Sequence, residues 1–99
     1  MLRHIVMWKF KDGFSNTENM ENAKRIKSML EALKTSINEI IEINVHINPI
    51  SSGYFDIFLD SRFENEKTMA AYKVHPEHIK ASNFITSVLQ DRTVFDCYE

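Results

Sequence analysis

Ninety-nine residues, 43% apolar and 26% charged, have the makeup of one folded domain (residues 1–99) rather than a disordered chain. Lys and Arg number 12 against 14 Asp and Glu, a net charge of −2 without a basic run, which argues against nucleic acid as a partner because such binding rests on neutralising phosphates. No apolar run approaches the roughly 20 residues of a membrane helix, the opening Met1-Leu2-Arg3-His4-Ile5 lacks a signal peptide's core, and the single Cys97 allows no internal disulfide, so a cytoplasmic protein is expected.

Leu2 to Phe10 alternates with period 2: Leu2, His4, Val6, Trp8 and Phe10 share one face, Arg3, Ile5, Met7 and Lys9 the other. This pattern predicts a strand, ended by the turn dipeptide Asp12-Gly13. Ser15 and Glu18 have capping-box spacing. Beyond them Met20, Ala23, Ile26, Leu30, Leu33 and Ile37 recur at steps of three or four, the apolar stripe of a helix. Ile40 to Ile47 returns to alternation, with Ile41, Ile43, Val45 and Ile47 together, until Pro49 and Ser51-Ser52-Gly53 break it. Phe55, Ile57, Leu59 and Phe63 predict the apolar face of a third strand, with Asp56, Phe58, Asp60 and Arg62 opposite.

Asn65 suits the cap of a short helix through Val74, with Met69 and Tyr72 inward. Pro76 ends that helix and suits the first turn of another, which carries Ile79, Phe84, Ile85, Val88 and Leu89. A strand from Thr93 to Tyr98 closes the order β-α-β-β-α-α-β, a ferredoxin-like α+β protomer: a four-stranded antiparallel sheet with helices on one face. The uncovered face would carry Ile5, Met7 and Phe58, too apolar for water. A homodimer packed sheet to sheet is the simplest remedy.

Three segments, in order, resemble one family, the stress-responsive A/B barrel domain (Dabb) proteins of the dimeric α+β barrel group. They are Arg3-His4-Ile5-Val6-Met7-Trp8-Lys9-Phe10-Lys11-Asp12-Gly13, then Phe63-Glu64-Asn65 leading to Ala71-Tyr72-Lys73-Val74-His75-Pro76-Glu77-His78, and last Asp91-Arg92-Thr93-Val94-Phe95-Asp96. The middle, Glu21 to Asn48, is similar only in its pattern of helix and strand. The resemblance implies a ferredoxin-like protomer and a dimer whose two sheets form a barrel. It says less about chemistry: most members have no assigned activity, and a plant branch acts as polyketide cyclases without metal or organic cofactor.

The residues that this points to as catalytic are His78, Tyr72 and His4, the first two matching active-site positions of the cyclase branch. Imidazole with a pKa near 6.5 exchanges protons at neutral pH, and a tyrosine hydroxyl can donate to a developing enolate. Trp8, Ile57, Leu59 and His75 are the expected ligand-binding neighbours. Ile57, however, stands where the cyclases carry a further pocket histidine, which removes one group able to position a substrate.

Each residue also has a plainer reading: His4 as a satisfied cleft residue, His75 as a cap at the helix break, and Tyr72 as packing with its hydroxyl on a backbone group. Tyr72 and His78, six apart, would lie on different faces of an unbroken helix and converge only through the break at Pro76. His75-x-x-His78 has metal spacing but too few neighbouring ligands, so neither metal nor cofactor is expected. Cys97 reads as a buried or edge thiol. Three functions remain open. One is a cofactor-free acid/base enzyme, or binder, for a small apolar carbonyl compound in the sheet-helix cleft. The others are a non-catalytic dimeric stress-related module and a cofactor-independent monooxygenase.

Overall fold

The computed structural model describes residues 1–99. Its elements run β1 (Leu2–Phe10), α1 (Asn16–Ser36), β2 (Glu42–His46), β3 (Ile57–Phe63), α2 (Glu66–Val74), α3 (Pro76–Val88) and β4 (Leu89–Tyr98). The strands form one antiparallel sheet in the order β2-β3-β1-β4, the ferredoxin-like arrangement expected from the alternation of periods.

Local chemistry sets the ends of these elements. Gly13 takes a φ of 100° in the turn after β1, a region where a Cβ is costly. Ser15 and Glu18 form the capping box of α1, the Ser hydroxyl accepting from the Glu18 N–H and the Glu carboxylate from the Ser15 N–H. Asn65 and Thr68 do the same for α2.

The inner face of the sheet carries Leu2, Val6 and Trp8 from β1, Ile43 and Val45 from β2, and Ile57, Leu59 and Phe63 from β3, all buried. Against them lie Ala23, Ile26, Leu30 and Leu33 of α1, Met69 and Tyr72 of α2, and Ala81, Ile85 and Val88 of α3. Two polar residues share this interior, each with a partner. The Ser61 hydroxyl donates to the His4 carbonyl, and the His4 ring reaches Asp96.

Opposite these lie Ile5, Met7 and Phe58, only half-buried. Phe95, paired with Ile5 in the ladder, is 60% exposed. Beside them Arg3 donates two hydrogen bonds to the Asp60 carboxylate, at 2.9 and 2.8 Å.

One edge of the sheet is plugged by side chains of α1. Glu31 accepts from the Val45 N–H at 2.9 Å, Lys27 donates to the Val45 carbonyl at 2.7 Å, and the two side chains pair with each other. Val45 thus has no backbone group left for another strand.

Four sequence expectations shift. Ile41 is exposed and lies before β2, because the turn at Ile37–Ile40 tucks those two residues inward in its place. Phe55 precedes β3, in a segment held by the Asp56 carboxylate, which accepts from the Phe10 N–H. Ile79 points outward, 47% exposed. Leu89 ends α3 and already begins β4, four residues ahead of Thr93.

That early start is possible because β4 contains a bulge. Met7 pairs with Thr93 and Lys9 with Gln90, so Asp91 and Arg92 together stand opposite Trp8. Asp91 takes a φ of 55°, the one positive value outside glycine. The extra residue reverses the alternation. Leu89 and Val94, an odd five residues apart, therefore both pair with inward-facing residues of β1, Phe10 and Val6.

Candidate functional site

The break between α2 and α3 builds the site. His75 precedes proline and is held extended, at φ −65° and ψ 136°. Its ring Nδ1 accepts from the Glu77 N–H at 3.1 Å, so His75 is the N-cap of α3. The chain turns there, and the rings of Tyr72 and His78 come to 4.4 Å between centroids. These two residues converge, as the sequence alone left open.

They share the wall of a cavity of about 230 Å³ between the sheet and α3. Val6 and Trp8 of β1, Leu59 of β3 and Leu30 of α1 give it an apolar floor. One stripe of α3, His78, then Ser82, then the adjacent Ile85 and Thr86, forms a side on successive turns. The bulged start of β4 borders an end, with Leu89 buried and Asp91 and Arg92 exposed.

The Tyr72 hydroxyl is buried with no hydrogen-bond partner. An orphan of this kind costs free energy on the order of 1–3 kcal/mol, and a ligand that accepts from it would remove that penalty. Burial raises the pKa of the phenol, with the Arg92 charge opposing. Tyr72 therefore stays protonated and is a donor.

His78 places its Nδ1 3.0 Å from the Lys73 carbonyl oxygen. A carbonyl only accepts, so Nδ1 carries the proton and Nε2 of the neutral ring has a free lone pair. Burial lowers its pKa, the hydrogen bond to Lys73 opposing. The ring is therefore neutral at pH 7, the form that can take a proton.

His4 lies behind this pair, outside the cavity wall. Its ring is edge-on to Tyr72, which lines the cavity, at 6.4 Å and to Phe63, which does not, at 6.3 Å. Its Nδ1 meets an Asp96 carboxylate oxygen at 2.5 Å. Burial lowers the His4 pKa against that hydrogen bond, so the neutral ring donates from Nδ1.

Of the expected ligand-binding neighbours, Trp8 and Leu59 line the cavity; His75 and Ile57 do not. His75 is occupied as a cap, and Ile57 borders a separate depression with Phe55 and Phe58. Five polar residues of the wall escaped the sequence reading: Ser82, Thr86, Gln90, Asp91 and Arg92. The first two lie one and two turns beyond His78, which was the available signal. The last three depend on the bulge, whose one trace in the sequence is the odd spacing from Leu89 to Val94.

Fold and cavity together define a class: a ferredoxin-like α+β protomer with an apolar cavity between its sheet and helices, and a tyrosine–histidine pair on one wall. The chain belongs to the stress-responsive A/B barrel domain (Dabb) family, which it matches over residues 2–99. It is 30% identical over 84 residues to a stress-response A/B barrel domain-containing protein of Arabidopsis thaliana, an alignment taking in 81% of this chain; the chain spans only 29% of that relative's length. A dimeric protein of unknown function with a ferredoxin-like fold, from Bacteroides fragilis, superposes with a TM-score of 0.93 at 28% identity, covering 99% of this chain and 95% of that one. A hydroxynitrile lyase from Passiflora edulis shares the fold at a TM-score of 0.74 and 14% identity, covering 97% of this chain and 90% of that one.

Proposed function

We propose that the chain works as a homodimer that binds a small, largely apolar carbonyl compound in this cavity and moves a proton on it without a cofactor. The observation that carries the reading is Tyr72, which shares a cavity wall with His78 and whose buried hydroxyl has no partner. In this reading His78 accepts, through Nε2, a proton from the carbon beside the carbonyl, and Tyr72 donates to the oxygen as it gains enolate character. His4, held by Asp96, positions the Tyr72 ring and touches no substrate. The half-open row of Ile5, Met7, Phe58 and Phe95 supports the dimer, as does the dimeric state of the Bacteroides fragilis relative.

Solvent-deuterium exchange into phenylacetone, a neutral one-ring ketone, tests the proton step by NMR. The protein should accelerate exchange. His78→Ala should lower that acceleration by about 100-fold or more, in the range of general-base losses. Tyr72→Phe removes one oxygen and should cost about tenfold or more, with the fold of both variants intact by circular dichroism. Full activity in both variants would remove the assigned roles. Binding of the ketone without exchange would favour a non-catalytic ligand carrier.

A further inference from the structure

Arg92 is the arginine for which the fold provides no partner. Arg3 is held by Asp60, Arg62 by Glu99 and Glu42, and Arg25 lies over the Phe84 ring at 4.0 Å. Arg92 forms neither an ion pair nor a hydrogen bond to any side chain, although Asp91 beside it shares the cavity wall. The bulge brings both residues opposite Trp8, on the solvent-exposed rim of a mainly apolar cavity. A guanidinium is a planar fork that matches a carboxylate through two parallel hydrogen bonds.

We propose that Arg92 is a specificity residue: the cavity's ligand is a small monocarboxylate, its acid group held by Arg92 and its apolar body lying against Trp8, Leu59 and Leu30. This deepens, and rests on, the reading of the cavity as the site of a carbonyl ligand, which then becomes a small oxo acid with its carbonyl toward Tyr72. A volume near 230 Å³ falls below the roughly 300–1,000 Å³ of sites for drug-sized ligands, which limits the body to one ring or a short chain. The Arg92 charge acts on the other polar groups of the site as well. It adds to burial in lowering the pKa of His78 and of His4, and opposes burial at Tyr72.

Trp8, the chain's single tryptophan, lines the cavity and reports its occupancy by fluorescence. Phenylacetate and phenylacetamide have nearly the same shape and differ in charge. The carboxylate should bind at least tenfold more tightly than the amide, and the gap should shrink with added salt. Arg92→Gln should erase the gap by weakening the acid far more than the amide, and Arg92→Lys should keep part of it. If acid and amide bind equally to the unaltered protein, or Arg92→Gln weakens both alike, the role of Arg92 is overturned and the cavity stands as a ligand site. If neither compound binds, both this proposal and the ligand-site reading fall.

Discussion

The two faces of this sheet have similar raw material and different fates. On the inner face Val6, Leu59 and Phe63 are sealed by the chain's own helices, and Phe63 is wholly buried. On the outer face Ile5, Met7 and Phe58 stay half-buried and Phe95 is largely exposed. The inner face has three helices but is not filled to the end: a cavity remains, bordered by His78 just beyond the break at Pro76 and by the bulged start of β4. The outer face has no helix, and the depression beside its Met7 and Phe58 is smaller, about 130 Å³. An interior closed by one chain can thus hold a cavity, while the uncovered face keeps apolar side chains partly exposed.

The contrast breaks most violently from the inside. Phe63→Ala would empty the space beside His4 and Tyr72, its ring lying 6.3 and 4.9 Å from theirs. A loss of about 3–5 kcal/mol in urea unfolding is expected for such a truncation. On the outer face Phe58→Lys should leave the fold of the protomer alone, as its ring meets only His46 at 5.6 Å among the aromatics. It should weaken the dimer by about 2 kcal/mol or more if Phe58 is central to the interface. Sedimentation across a dilution series reads this directly, and a dimer of unchanged strength would mean that another surface joins the copies.

The smallest effect is a pH slope that sharpens the same contrast. Burial lowers the pKa of both inner histidines, His4 and His78, below 6.5. The unfolded chain then binds their protons more readily than the folded one. The stability this represents is present above about pH 6.5 and is lost as the pH falls through the folded values. Melting temperature should decline on acidification below that point, and His78→Gln should make the decline shallower. The carboxylates of Asp60, paired with Arg3, and Glu18, in its capping box, are also lowered. Their losses come nearer pH 4, in a separate window. An unchanged slope in His78→Gln would mean that His78 titrates alike in both states.

Much of this fold was legible because period-2 and period-3.6 patterns alternate cleanly, and because Ser15, Asn65 and Pro76 stand where helix caps need them. Legibility failed where one residue breaks phase. Leu89 suits the last turn of a helix and the first residue of a strand equally well, so β4 looked four residues shorter than it is. That error hid the wall formed by Gln90, Asp91 and Arg92. For the candidate site, sequence could locate Tyr72, His78, Trp8 and Leu59, but not the angle between α2 and α3 that brings the first two together. Nor could it see that His75 spends its ring on the Glu77 N–H, or that His4 lies outside the cavity lining with its ring on Asp96.

The plug on β2 also bears on how copies of this chain can grow together. A strand-by-strand polymer needs two receptive edges on every unit, one to accept and one to offer. Here Lys27 and Glu31 occupy the Val45 backbone at one edge, while no helix side chain reaches across the backbone of β4 at the other. At Val45 the β2 edge cannot accept an incoming strand, which leaves β4 as the more receptive edge. The two margins of one sheet thus differ in what they can offer a neighbour: one is partly spent within the chain, and the other is not.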